Sequence, residues 1–138
     1  MQVEDVMTNE VVSVLPNDNI STVAKQMEKY NIGLVPVCEN GTLLGVITDR
    51  DITLRCVAKD RLTTSVLASE IMSSDAISIS PNQSIEVAAS IMSDAQYRRL
   101  LVTDQGKVVG IFSLGDLAKL RSYKSETAKA LSEISEDR

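Results

Sequence analysis

Gly45-Val46-Ile47-Thr48-Asp49-Arg50-Asp51 and Gly110-Ile111-Phe112-Ser113-Leu114-Gly115-Asp116 follow one pattern. A glycine leads, two apolar residues follow, then a hydroxyl residue, then an acid three positions on. Each copy reads as a short buried strand that ends on the hydroxyl and passes at once into a helix. Such a junction exposes unpaired backbone N–H groups and the positive end of a helix dipole, which together attract an anion. The same Thr/Ser-x-x-Asp spacing is also a helix capping box, useful with no ligand present. The two readings are compatible.

Working outward, a shift of 65 positions aligns the whole chain with itself without a gap. Met7 meets Met72, Pro16 meets Pro81, Asn17 meets Asn82 and Ile20 meets Ile85. Ala24 meets Ala89, Met27 meets Met92, Val37 meets Val102 and Gly41 meets Gly106. Such a register marks an internal repeat.

Residues 11–15 predict a short apolar strand closed by the turn signal Pro16-Asn17-Asp18. Asn19 is the expected N-cap of a helix with Ile20, Val23, Ala24, Met27 and Tyr30 on one face. Residues 34–38 and 43–48 predict two strands joined by Glu39-Asn40-Gly41-Thr42, and residues 49–58 a helix. The second half repeats the order: a strand at 77–79, a cap at Ser84, a helix through Met92, a hairpin at Asp104-Gln105-Gly106, and a helix from Leu114.

The expected division is a first repeat over 1–60, a connector at 61–65, a second repeat over 66–122 and a helical tail over 123–138. Residues 66–72 predict a short helix. The tail carries a narrow apolar stripe at Ala128, Leu131 and Ile134, and either packs on a partner chain or frays. Each half is a βαββα unit with faces it cannot cover alone. The fold class is therefore α+β: two pseudo-twofold-related repeats with three-strand sheets packed face to face, their junctions flanking a central cleft.

Aromatics make up 3% of the chain, so the core must be aliphatic. A net charge of −5 argues against a nucleic-acid binder, whose phosphate contacts need local positive charge. No apolar run is long enough for a bilayer and residues 1–5 begin no signal peptide, which leads to a cytoplasmic expectation. Cys38 and Cys56 are isolated and read as reduced packing residues. The chain has no His, which leaves no zinc set. No Ser or Cys nucleophile has a base beside it and no element carries paired carboxylates, so an enzyme is disfavoured.

At the two quoted stretches, at Met7-Thr8 and Met72-Ser73, and at the Asn/Gln-Gly hairpins, the chain resembles the tandem cystathionine-β-synthase (CBS) domain pair, the Bateman module. The resemblance runs from Val3 to about Leu120 and points to a free-standing module of bacterial or archaeal type. Related modules occur in inosine monophosphate dehydrogenase, in AMP-activated kinase and in channels.

The resemblance implies a regulatory module that senses an adenosyl ligand (AMP, ADP, ATP or S-adenosylmethionine) and signals to a regulated protein, with no cofactor required. Asp51 and Asp116 would hold the ribose diol, while Thr48 and Ser113 would donate to phosphate. Val11, Val12 and Ile77 would sandwich the adenine. Arg50 follows the first motif and joins the candidate set. Arg98 and Arg99 would reach a phosphate held at the Thr48–Asp51 site, leaving the Ser113–Asp116 site to face Gly33 and Leu34 without charge; alternatively they are a solvated strand edge. Val66, Leu67 and Ile71, with the tail stripe, predict a homodimer. The competing function is a structural dimer whose clefts bind nothing.

Overall fold

The computed structural model describes residues 1–74 and 77–137. The chain divides into two compact units, and they do not follow the repeat boundaries. One is contiguous, Val12–Ala76; the other joins Met1–Val11 to Ile77–Arg138.

In the contiguous unit, helix α1 (Ile20–Tyr30) starts where the Asn19 side chain accepts from the Thr22 N–H at 2.8 Å. It ends at Asn31, which takes a left-handed φ of 53° that asparagine tolerates. Its buried face is Ile20, Val23 and Met27. Ala24 and Tyr30, expected on that face, lie at the edges of the stripe and are exposed. Strands β1 (Leu34–Glu39) and β2 (Thr42–Thr48) form an antiparallel hairpin through Asn40 and Gly41, both at positive φ, as a tight hairpin turn requires. Helix α2 (Asp49–Arg55) is shorter than expected and gives way to a 3-10 turn at Val57–Lys59. Helix α3 spans Ala68–Ile71.

Two expectations fail in this unit. Residues 11–15 form no strand: Val14 alone bridges Val37. The Leu15 N–H donates instead to Asp18 Oδ2 at 2.8 Å, so the turn begins before a ladder can lengthen. Val66 and Ile71 are 4% and 1% exposed and belong to the unit's own core with Ile20, Val35, Val37 and Ile47. Only Leu67 of that trio faces outward, so the surface proposed for dimerisation is mostly internal packing.

The other unit contains strand β3 (Ser78–Ile79), helix α4 (Ile85–Ala95), strands β4 (Arg99–Asp104) and β5 (Lys107–Ser113), and helices α5 (Leu114–Ala118) and α6 (Lys124–Ile134). Ser84 caps α4 by accepting from the Val87 N–H. β3 runs parallel to β4, and β4 pairs antiparallel with β5. The tail does not fray: α6 packs along α4 of its own unit. The inward residue is Ala130, wholly buried, flanked by Tyr123 and Ile134. Ala128 and Leu131 of the expected stripe point away, because the stripe is set by 123, 127, 130 and 134. The last tail residue lies outside those described.

The recurring Met-Thr and Met-Ser now have a role. Thr8 and Ile111 exchange backbone hydrogen bonds at 2.9 and 3.0 Å, and Val46 and Ser73 do so at 2.9 Å each way. The start of each repeat therefore completes the sheet that carries the other repeat's motif. This crossing demands the motif glycines. A Cβ at Gly110 would lie 2.5 Å from Met7 Sδ, and one at Gly45 would lie 2.7 Å from the Ser73 carbonyl oxygen. Among the described residues, no helix is long and apolar enough to cross a membrane.

Candidate functional site

Each motif builds the same junction. β2 ends on Thr48, whose Oγ1 accepts from the Asp51 N–H at 3.1 Å while Asp51 Oδ2 accepts from the Thr48 N–H at 2.9 Å. β5 ends on Ser113, with the corresponding bonds to Asp116 at 3.0 and 2.9 Å. The capping box is therefore complete in both units. It engages one carboxylate oxygen and leaves the other. Each hydroxyl accepts a hydrogen bond and keeps its own proton to donate.

The junctions differ in what surrounds them. Asp51 Oδ1 lies 3.8 Å from Arg55 Nε, and Arg55 Nη1 donates to the Ile71 carbonyl at 2.9 Å. Leu120 takes the place of Arg55 in the second repeat, and among the described residues no cation pairs with Asp116. The Asp49 carboxylate stands over Gly33, so close that a Cβ on Gly33 would be 3.0 Å from Asp49 Oδ2. The Arg50 N–H donates to that same carboxylate at 2.9 Å, and the Arg50 side chain is exposed. The first junction thus mixes two acids with two arginines.

The second junction opens on a cavity of about 410 Å³ lined by Arg98, Arg99, Ser113, Leu114, Gly115, Ala118, Thr127 and Leu131. Antiparallel register explains the arginines: Arg99 is the partner of Ser113 across β4 and β5, and the Arg98 carbonyl accepts from the Leu114 N–H at 2.8 Å. The expectation that this junction lacks charge does not hold. Its own hairpin carries the start of β4 back to the end of β5. Among the described residues neither arginine has a carboxylate partner.

Ile77 is half-buried against the apolar cluster of the discontinuous unit. Val11 and Val12 are half-buried and fall on either side of the division between units. The residues missed from sequence are Asp49 and Arg55 at the first junction and Thr127 and Leu131 at the second. The four-residue spacing of Asp51 and Arg55 was a usable signal; nothing in the sequence set the tail helix against the second junction. Among the described residues no three His, Cys, Asp or Glu side chains gather as a metal group.

The family model for the CBS domain matches residues 3–57 and again 68–123. The CBS domain-containing protein YhcV of Bacillus subtilis is 43% identical over 133 residues, covering 96% of this chain and 94% of its own length. Among solved structures, the CBS domain protein PAE2072 of Pyrobaculum aerophilum, complexed with AMP, superimposes with a TM-score of 0.81 at 26% identity, covering 93% of this chain and 98% of that one. The CBS domain pair of protein MJ0100, in complex with 5′-methylthioadenosine and S-adenosyl-L-methionine, gives 0.78 at 27% identity over 90% and 98%. Two matched segments, each containing one of the two capped junctions, make this chain a member of the CBS-domain family with two such domains in tandem.

Proposed function

We propose that the chain is a regulatory binding module that holds an adenine nucleotide or another adenosyl ligand at its strand-to-helix junctions and does not consume it. The observation that carries this reading is the second junction. There two arginines, without acidic partners among the described residues, and a hydroxyl with a proton to give line one cavity, and the half-engaged Asp116 carboxylate belongs to the same capped junction. The adenosyl class is supported by the AMP and S-adenosylmethionine complexes of two structures with this fold.

In this reading the outer oxygens of Asp51 and Asp116 accept from ribose hydroxyls, and Thr48 and Ser113 donate to phosphate. Val12 and Ile77, which the 65-residue shift superimposes, contact the adenine, with Val11 beside them. Arg98 and Arg99 meet the phosphate at the second junction, and Arg50 serves the first. Binding then alters how the module engages a regulated protein. We further read the chain as a homodimer joined through exposed Leu54, Val57 and Leu62. Sedimentation showing only a 15.0 kDa species at micromolar concentration would refute that.

Calorimetric titration with AMP, ADP, ATP and S-adenosylmethionine tests the main proposal. At least one is expected to bind and to be recovered intact by chromatography. No heat from any of them leaves the structural dimer as the better reading. Steady conversion above a protein-free control overturns the non-catalytic assignment.

A further inference from the structure

The cavity at the second junction is not closed by the repeat alone. Its wall includes Thr127 and Leu131, which belong to α6, outside the second matched segment. This helix is fixed to the parts of the chain that carry the site. The one proton of Thr127 Oγ1 is shared between the Tyr123 carbonyl at 2.9 Å and the Leu117 carbonyl of α5 at 3.3 Å. At the other end, Gln96 Nε2 donates to the carbonyls of Glu133 and Glu136 at 3.0 and 2.7 Å. Gln96 stands two residues before Arg98. Ala130, wholly buried between these anchors, sets the rotation of the helix. Leu131 is thereby held at the cavity, 49% exposed, an apolar side chain facing two arginines.

We infer that α6 is a working wall of a phosphate-binding pocket, and that Leu131 and Thr127 govern which phosphate-bearing ligands enter it. This rests on the reading of the junction as a phosphate site. The lining divides by chemistry. Arg98, Arg99 and the Ser113 hydroxyl form a cationic, donating side with no carboxylate among the lining residues. Leu114, Ala118 and Leu131 form an apolar side. That combination suits a phosphate monoester or pyrophosphate attached to an apolar body, as in a nucleotide. A carboxylate placed on the apolar side would meet the guanidinium groups and compete with the phosphate directly.

The test compares Leu131→Glu with Ala128→Glu, which adds the same charge to an exposed, non-lining position of the same helix. Leu131→Ala serves as the neutral control. Each protein is titrated with AMP, adenosine and inorganic pyrophosphate, while methyl resonances of Leu131 and Thr127 are followed by NMR. We expect AMP and pyrophosphate to shift both methyls in the unmodified chain. We expect Leu131→Glu to weaken both phosphates at least tenfold with little effect on adenosine, and Ala128→Glu to change neither.

If AMP binds but the methyls stay still and the two glutamate variants match, the wall assignment is overturned and the proposed function stands. Shifts with pyrophosphate but no response to any adenosyl compound uphold the wall and overturn the adenosyl reading. Silence toward every probe overturns both.

Discussion

Replacing Gly110 by alanine tests whether the segment that crosses the motif strand is held as tightly as its contacts require. Neither Gly110 nor Gly45 has a positive φ, so alanine fits the backbone at both positions. In open space the change would stabilise by about 0.4–1 kcal/mol through the unfolded chain. At Gly110 the new Cβ meets Met7 Sδ at 2.5 Å, Met7 Cγ at 3.0 Å and the Thr8 carbonyl oxygen at 3.0 Å. Overpacking of that kind costs about 1–3 kcal/mol, so the clash wins. At about 3–5 °C per kcal/mol for a chain of this size, the melting temperature should fall by several degrees.

The two glycines should differ in how they are rescued. At Gly110 the nearest atom belongs to a flexible methionine, so Met7→Ala should relieve much of the strain. At Gly45 the nearest atom is the Ser73 carbonyl oxygen at 2.7 Å, and Ser73 is fixed by two backbone bonds to Val46. Met72→Ala should relieve less. Double-mutant cycles by urea and thermal unfolding measure this: a favourable coupling of about 1–2 kcal/mol for Gly110 with Met7, and a smaller one for Gly45 with Met72. A stabilised Gly110→Ala, or an equal or larger coupling at Gly45, would refute the reasoning.

Asp116→Ala should abolish the tighter nucleotide-binding event in calorimetry and Asp51→Ala should spare it, because Arg98 and Arg99 line the Ser113 pocket. The reverse pattern would return the arginines to the Thr48–Asp51 junction. Replacing both arginines should weaken AMP by about ten- to a hundredfold and adenosine far less, since a charge-assisted contact to phosphate contributes about 1.5–3 kcal/mol. Gln96→Gly keeps the left-handed turn (φ 59°) and removes the amide that holds two carbonyls at the end of α6. Amide exchange should quicken in α6 and not in α1; unchanged α6 protection would count against the anchor. Burial pushes the Cys38 thiol above its ordinary pKa, so less of it is thiolate at pH 8 than in a free thiol. Cys38 should therefore react slowly with a disulfide reagent until urea unfolds the chain, and rapid reaction in buffer would contradict that burial.

The parts of the molecule that local chemistry decides were legible in advance. Hydroxyl and acid three residues apart dictate a capping box, and both boxes form, with bond lengths agreeing to about a tenth of an ångström. Asn40-Gly41 and Gln105-Gly106 turn where the hairpin chemistry places them. What escaped was decided by partners distant in sequence. The face of α6 depends on which side meets α4, and a small buried alanine gives little periodic signal. The pairing of Met7-Thr8 with the other repeat's strand involves too few residues for any alternation. Arg99 is the instructive miss. Counting back across the hairpin from Ser113 reaches it directly, once the register shift between Val102 and Thr103 is allowed for.

The crossing of the leading segments also sets an order of assembly during synthesis. Val12–Ala76 is one unbroken stretch and has all its strands and helices as soon as it has left the ribosome. The other unit has its leading segment, Met1–Val11, upstream of that stretch yet lacks its sheet until Ile111 arrives to pair with Thr8. The chain therefore releases Met1–Val11 early and uses them late, a long loop closure that is slow by nature. A single repeat cut at the sequence boundary would keep the leading segment it lends and lack the one it borrows. Such a fragment could complete itself only by trading segments with a second copy. A duplication of that kind would have joined into one polypeptide what had been a swapped pair.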